Sequence, residues 1–319
     1  MEELLLKVEN LCTSFLTSKG ILSAVNGVSF QLKRGETLGL VGESGCGKSI
    51  TCLSILRLLP PNGYITNGEI LFDGENLLEK SEAEMRRIRG RKISMILQDP
   101  MTSLNPVFSI GNQVTEAIRL HTDYRGKSLR EKAIEALRLV RLPAAEQRIG
   151  DYPHQMSGGM KQRVAGAVAI SCGPSLLIGD EPTTSLDATV QAQYLEVLMQ
   201  ILEETKAAMI FVTHNFGIVA NVCDKVAVMY AGRIVEMAEV TELFDHPCHP
   251  YTVGLMGCLI SVHRREQLVS IPGQLPSPIN VQQGCPFAPR CTRVIERCHS
   301  EFPPETCVGG DHYVSCWQY

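Results

Sequence analysis

The chain has 319 residues, 44% of them hydrophobic, with 34 acids against 30 bases and a net charge of −4. That length suggests one large domain or two smaller ones around a sizeable core, and the acidic balance argues against a general nucleic-acid binder, which carries a basic excess. No apolar run reaches the roughly 18 residues of a membrane span, and the start Met1-Glu2-Glu3-Leu4 lacks a basic n-region, so the expectation is a cytosolic chain that can still dock on a membrane protein.

The first forty residues read as short strands: Leu4 to Val8, Val25 to Phe30 and Thr37 to Val41, each bounded by glycine or polar turns. A glycine-rich loop at 42–47 leads into a helix from Lys48 to about Leu59, stopped by Pro60-Pro61-Asn62-Gly63. Glu69 to Phe72 and Lys92 to Leu97 read as further strands, the second ending at Gln98. From 109 to 171 the pattern turns helical. Ser128-Leu129-Arg130-Glu131 predicts a capping box, and Leu129, Ala133, Ala136, Leu137 and Val140 follow at helical spacing. The β/α alternation then returns: a strand at Leu176-Leu177-Ile178 running into Asp180-Glu181, a helix from Thr189 to Thr205, and strands at Ala208–Thr213, Lys225–Tyr230 and from Ile234. Strands alternating with helices predict a parallel α/β sheet. After about Pro247, proline and cysteine become frequent and periodicity fades, which predicts a small irregular C-terminal domain. There is no internal repeat.

Gly42-Glu43-Ser44-Gly45-Cys46-Gly47-Lys48-Ser49 fits the phosphate-binding loop pattern, in the expected place between a strand and a helix. Glycines let backbone N–H groups curl around phosphates, and the following helix presents its positive end. The pattern gives Lys48 the β- and γ-phosphates and the Ser49 hydroxyl a magnesium ion. Gly42, Ser44, Gly45, Cys46, Gly47 and Ile50 complete the expected nucleotide cradle. Asp180 suits a magnesium ligand and Glu181 a general base that polarises the attacking water. An acid pair at a strand end is a weak signal alone and a strong one beside a phosphate loop.

Ser157-Gly158-Gly159-Met160-Lys161-Gln162-Arg163, set before the acid-ended strand, makes the chain resemble the ABC ATPase family. The resemblance implies a P-loop fold with a RecA-like parallel-sheet core, an antiparallel β subdomain, an inserted helical subdomain (about 105–171) and a nucleotide-binding domain over 1–245. It implies that Ser157, Gly158 and Gly159 close on ATP held by a partner's phosphate loop, the serine capping a helix whose N-terminus attracts phosphate. By the same resemblance Gln98 is a catalytic glutamine that senses Mg²⁺ and the γ-phosphate. Ser185-Leu186-Asp187 is an interface loop and His214 a γ-phosphate switch; Phe15 resembles the aromatic that stacks on adenine and could equally pack within the β subdomain. Met156, Gly179 and Asn215 depart from the commonest family pattern without removing a chemical group. With Lys48, Glu181 and His214 present, hydrolysis of ATP is expected.

Twelve cysteines are many for a reducing compartment, where clusters point to metal rather than disulfides. Cys285, Cys291, Cys298 and Cys316 stand at spacings of five, six and seventeen residues. Spacing leaves a cluster, zinc or no metal open, since structural zinc favours tighter knuckles and a cubane accepts longer arms. Cys285 to Cys291 with its two prolines, the stretch Gln98 to Pro106, and His249-Pro250-Tyr251-Thr252 resemble the oligopeptide/dipeptide branch of ABC importers. That resemblance implies a C-terminal domain at 246–319 holding a [4Fe–4S] cluster, with Cys316 preferred over Cys307 as fourth ligand. It also implies a second ATPase subunit in a heterodimer, two transmembrane permeases, an extracytoplasmic solute-binding protein and no nucleic acid, on the cytoplasmic face of the cell membrane. Two rival classes are weighed against this: a soluble ABC ATPase acting on nucleic acid or the ribosome, disfavoured by the single cassette and the acidic balance, and a non-catalytic Fe–S regulator that uses ATP as a ligand, at odds with the intact Glu181 and His214. Cys46 is read first as an inert small residue; the alternative is that the helix N-terminus lowers its thiol pKa, so that alkylation there blocks ATP binding.

Overall fold

The computed structural model describes residues 3–99, 103–184, 186–258, 271–276, 279 and 283–319. Pro100, Met101, Thr102 and Ser185, named above, lie outside the described residues, as do Met1 and Glu2. The strands are, in chain order, β1 Leu4–Thr17, β2 Gly20–Lys33, β3 Thr37–Val41, β4 Gly63–Phe72, β5 Glu75–Asn76, β6 Ile93–Ile96, β7 Leu176–Asp180, β8 Ala208–Thr213, β9 Lys225–Tyr230, β10 Arg233–Glu239, β11 Thr306–Gly309 and β12 His312–Val314. The chain divides into two compact units.

One unit comprises Leu4–Leu32, Thr37–Leu78 and Thr213–Tyr319. Its first sheet has the order β2-β1-β4-β5, with β1 and β4 antiparallel in the register Leu6 opposite Phe72 and Phe15 opposite Gly63. The short N-terminal strands expected from sequence are in fact one long hairpin, β1 and β2 running on past the apolar stretches Leu5–Leu11 and Val25–Leu32 to the turn at Thr17–Gly20. In the same unit β3 pairs parallel with β9, all five residues of β3 being buried. β10 joins β9 antiparallel, β12 joins β10, and β11 joins β12. The tail is therefore not wholly irregular, as its composition suggested. Strands of three and four residues are too short to leave a period in sequence. The helix after the phosphate loop spans Lys48–Ile55, shorter than expected.

The other unit comprises Glu3, Lys33–Glu36 and Glu79–Val212. β6, β7 and β8 run parallel, with Ile93 opposite Leu176 and Leu176 opposite Ala208. Buried on both faces, β7 and β8 read as continuous apolar runs. Between β6 and β7 the helix Ile110–His121 turns Ile110, Val114 and Ile118 inward. The helix Gly126–Leu139 does the same with Ala133 and Leu137. Each such Ile or Leu contributes about 1.5–3 kcal/mol by leaving water. The capping box predicted at Ser128 is displaced. The helix starts at Gly126, and the Ser128 hydroxyl reaches back to donate to the Arg125 carbonyl at 2.8 Å. The helices Gly158–Ile170 and Ala188–Thr205 complete this unit. Among the described residues, no helix is long and apolar enough to cross a membrane.

Candidate functional site

The phosphate loop lies between β3 and the helix Lys48–Ile55. Gly42, Gly45 and Gly47 hold φ of +153°, +82° and +110°, values that residues with a Cβ avoid. A Cβ at Gly42 would meet the Met229 carbonyl oxygen, and one at Gly47 the Ala24 carbonyl oxygen. The motif's glycines are thus set both by φ and by neighbouring main chain. Lys48 is buried and donates to the carbonyl oxygens of Gly42 at 2.8 Å and Glu43 at 3.0 Å, so its ammonium is folded into its own loop. Ser44 and Gly45 are exposed at the loop's tip, and Ser49 and Ile50 are half-buried at the helix start. The loop fits a polyphosphate in its donor set: upward-curled main chain, a lysine held by neutral carbonyl and thiol acceptors, and a hydroxyl at the helix N-terminus.

Cys46 fits the inert reading. It is 1% exposed, and burial raises its thiol pKa above the usual value despite the Lys48 ammonium nearby. Desolvation of a thiolate outweighs the helix end here, so Cys46 is a packed small residue rather than a reactive one. Phe15 is half-buried on β1 with its ring over the Cα of Gly63, where a Cβ would approach Phe15 Cε1 to 2.6 Å. His214 is exposed just after β8, and Asn215 caps the helix Phe216–Val222 by accepting from the Gly217 N–H at 2.9 Å. Asparagine at this position therefore keeps a capping acceptor.

In the other unit, Gln98 and Glu181 come together. Gln98 Nε2 donates to Glu181 Oε2 at 3.0 Å, and the Thr184 hydroxyl donates to the same oxygen at 3.0 Å. Glu181 sits at φ +47°, an uncommon conformation for a side-chain-bearing residue, held by its N–H on the Val212 carbonyl at 3.0 Å. Asp180 ends β7 and is 7% exposed. Gly179 leaves no slack: the space a Cβ would take holds Met209 Cε at 2.7 Å and Pro182 Cγ at 3.1 Å. Pro182 and Met209 thus account for glycine at that position.

Ser157 caps the helix Gly158–Ile170, accepting from the Met160 N–H at 3.4 Å. Asp187 caps Ala188–Thr205, accepting from Thr189 at 3.1 Å and Val190 at 3.0 Å. Ser157, Gly158, Gly159 and Asp187 line one open depression of about 440 Å³, together with Arg141 and Arg163. Neither arginine carried a signal of this role in the sequence. Arg163 donates to the carbonyls of Val140 and Arg141, and Arg141 is held by Glu196 and Gln200. Two guanidiniums and a helix N-terminus make the depression suited to an anion.

Cys285, Cys291, Cys298 and Cys316 line a single small, largely apolar cavity. Cys307 does not line it; exposed on β11, its thiol points to the Gly310 carbonyl at 3.4 Å. Burial pushes the Cys285 thiol up to about 11, and the nearby Cys298 and Cys291 push it the same way. Burial also raises Cys316, again with Cys291 and Cys298 near enough to add to it. Thiols that disfavour one another's ionisation suit a cation. Among the described residues, no three of these sulfurs lie within 4.8 Å of one another. A tetrahedral zinc with Zn–S bonds near 2.3 Å sets sulfurs about 3.8 Å apart. The four thiols as placed are therefore not gathered for a single tetrahedral zinc ion. The one tighter group among the described residues, Glu236, Cys248 and His312, was not foreseen. There the buried Glu236 carboxylate already accepts from the N–H groups of Cys248 at 2.6 Å and His249 at 2.9 Å, and faces His312 Nε2 at 2.8 Å.

Two further residues sit inside sequence motifs that gave them no role. Tyr251, fully buried, accepts from the Glu43 N–H at 2.9 Å, and Arg290 forks onto the Glu43 carboxylate with both contacts at 3.0 Å. The signal available in sequence was the charge itself: a carboxylate inside a phosphate loop calls for a cation.

Residues 25–184 match the family described as ABC transporter, and residues 235–298 match the oligopeptide/dipeptide transporter C-terminal region. A probable peptide ABC transporter ATP-binding protein of Sinorhizobium fredii is 49% identical over 99% of this chain and 95% of its own. The dipeptide transport ATP-binding protein DppD of Bacillus subtilis is 47% identical over 99% of this chain and 95% of its own. The same organism's oligopeptide transport protein OppD is 46% identical over 98% and 88%. Among solved structures, the dimeric ATP-binding cassette MJ0796 in a post-hydrolysis state with ADP and Pi is similar at TM-score 0.67 and 25% identity, covering 74% of this chain and 98% of that one. Phosphate loop, acid-ended strand, capped Ser-Gly-Gly helix and tail all fall within these matches, and the chain belongs to the ABC transporter family, among the ATP-binding proteins that carry the oligopeptide/dipeptide transporter C-terminal region.

Proposed function

We propose that this chain is the ATP-hydrolysing motor subunit of a membrane importer for dipeptides, oligopeptides or related small solutes. The observation that carries the reading is the intact phosphate loop in a chain that resembles peptide transport ATP-binding proteins along its whole length. In this reading residues 1–245 form the nucleotide-binding domain, about 105–171 its helical subdomain, and 246–319 the C-terminal domain. The chain works with a second ATPase subunit, two transmembrane permeases and a solute-binding protein, at the cytoplasmic face of the cell membrane.

The residue roles follow from their chemistry. The N–H groups of the loop from Gly42 to Ile50 cradle the phosphates, and Lys48 leaves its own carbonyls for the β- and γ-phosphates. Ser49, Gln98 and Asp180 would hold Mg²⁺, which would supply charge to offset that of the phosphates. Phe15 offers its ring to adenine. Glu181, oriented by the Gln98 amide and the Thr184 hydroxyl, takes a proton from the attacking water. The new bond forms from that water to the γ-phosphorus as the bond to the β-bridging oxygen breaks, giving ADP and phosphate. His214 contacts the γ-phosphate. Ser157, Gly158 and Gly159, with Asp187 beside them, face ATP held by the partner subunit. Positioning and electrostatics dominate such transfers. Glu181→Gln is therefore expected to bind ATP normally and to lose turnover by about 10²–10⁴-fold.

The four cysteines are proposed to hold a [4Fe–4S] cluster, which when bound cross-links the tail. That all four line one cavity supports this. Anaerobic purification followed by iron and sulfide analysis tests it; protein without either removes the cluster. The transport reading is tested by purifying the chain from gently solubilised native membranes and identifying its companions by mass spectrometry. Two multi-span permeases and a second ATPase are expected. Ribosomal proteins or nucleic acid in their place would overturn it.

A further inference from the structure

Glu43, the second residue of the phosphate loop, is held from outside the loop on two sides. Its N–H donates to the Tyr251 hydroxyl at 2.9 Å. Its two carboxylate oxygens each accept from a different nitrogen of the Arg290 guanidinium, both at 3.0 Å. This is the bidentate geometry that makes arginine–carboxylate pairs strong and directional. The Arg290 side chain is only 6% exposed and that of Glu43 is 27%, so the pair is largely out of water.

Arg290 is itself fixed at every nitrogen. Nε donates to the Pro272 carbonyl at 2.8 Å, Nη2 also reaches the Ile271 carbonyl at 3.3 Å, and Nη1 reaches the Tyr230 hydroxyl at 3.3 Å. Tyr230 packs edge to face on both Tyr251 and Phe287, with ring centroids 4.6 and 5.2 Å apart, and the guanidinium lies over the Tyr230 and Phe287 rings at 5.8 and 6.0 Å. The residue closes a tight turn, Ala288–Arg290, whose two flanks are cysteines of the cavity: Ala288 N–H donates to the Cys285 carbonyl at 3.0 Å and Cys291 N–H to the Ala288 carbonyl at 3.2 Å.

A free carboxylate at this place would work against the loop's purpose. The loop exists to gather several negative charges, and an unpaired glutamate within it repels them. Its conformation matters as well, because the Glu43 carbonyl is one of the two that hold Lys48 before nucleotide arrives.

We propose that Arg290 is a positioning residue of the phosphate loop: reaching from the cysteine turn, it neutralises and immobilises Glu43 so that the loop accepts polyphosphate, and through that turn the state of the cysteine cavity sets the loop's affinity for ATP. The first half stands on this geometry alone. The second rests on the cluster reading above.

The test is the dissociation constant of the full chain for a fluorescent ATP analogue, measured with magnesium for the wild type, Arg290→Gln, Glu43→Gln and the double variant. Thermal midpoint and iron content are followed alongside. Arg290→Gln is expected to weaken binding by about 5-fold or more, the lower end of ordinary site–site coupling. Adding Glu43→Gln to it is expected to recover most of that loss, because the repelling charge is then gone. A merely structural role for Arg290 predicts no such recovery, since the second substitution cannot restore a lost contact. Unchanged affinity in Arg290→Gln overturns the proposal, and so does a double variant as weak as the single one. Should Arg290→Gln misfold, Tyr251→Phe removes the other hold and is expected to weaken binding, and unchanged affinity there counts against it. For the second half, stripping iron from the wild type is expected to bring its affinity down to that of Arg290→Gln and to change Arg290→Gln no further. Equal affinity of stripped and loaded wild type removes that half. Protein purified without iron removes the cluster reading instead, and the Arg290 and Glu43 variants still decide the first half.

Discussion

The phosphate loop and the cysteine cavity belong to one compact unit and are built on opposite plans. The loop makes its site from main chain over eight consecutive residues, with glycines at positive φ and a lysine turned onto its own carbonyls. The cavity makes its site from side chains, four thiols drawn from residues 285 to 316 by a turn, a short helix at Arg297–Ser300 and the stretch after β12. A main-chain site is local and tolerates no Cβ. A side-chain site is global and tolerates no change of donor.

A single methyl group tests that contrast most severely. Gly47→Ala forces a Cβ against the Ala24 carbonyl at φ +110°. The strained φ alone costs about 1–3 kcal/mol, and the clash adds to it, so ATP binding is expected to vanish in an equilibrium titration. Lys48→Ala is the next largest effect. It leaves the main chain intact and removes charge-assisted contacts of about 1.5–3 kcal/mol, so the dissociation constant should rise by about 10–100-fold, read by the same titration. If Lys48→Ala were the more damaging of the two, the loop would be a charge site rather than a main-chain site.

On the other side of the contrast, Cys298→Ser is expected to abolish iron retention, while Cys307→Ser leaves iron content unchanged, because only the first thiol faces the cavity. Parallel iron assays on the two variants decide it. The smallest effect is expected in acid. Burial holds His249 down at about 3, against 6.5 for the free side chain. Its folded form is neutral, so its share of stability is complete above pH 6.5 and is lost as the pH falls from there toward 3. His249 Nδ1 accepts from the Tyr251 N–H at 3.0 Å, a role asparagine can keep. His249→Asn should therefore lose fewer degrees of thermal midpoint between pH 7 and pH 4.5 than the wild type, by calorimetry.

Features that depend on residues adjacent along the chain were legible before any fold was known. The phosphate loop between strand and helix, the acid-ended strand, the Ser157 cap and the parallel β/α alternation all belong here, because φ preference, capping and burial period act over a few residues. The hairpin of β1 and β2 was legible only as fragments, and the small strands β11 and β12 not at all, since three or four residues carry no period. Only the folded chain shows that Cys316 rather than Cys307 faces the cavity: β12 pairs with β10 and so carries Cys316, just beyond its end, to the cavity wall, while Cys307 is left exposed on β11. Only folding, too, withdraws the thiol of Cys46 from water, against the effect of the helix end. Arg290 meets Glu43 across 247 residues of chain. No local rule spans that distance; only the packing of the tail around Tyr230 and Tyr251 brings the guanidinium to the loop, where its fork meets both Glu43 carboxylate oxygens.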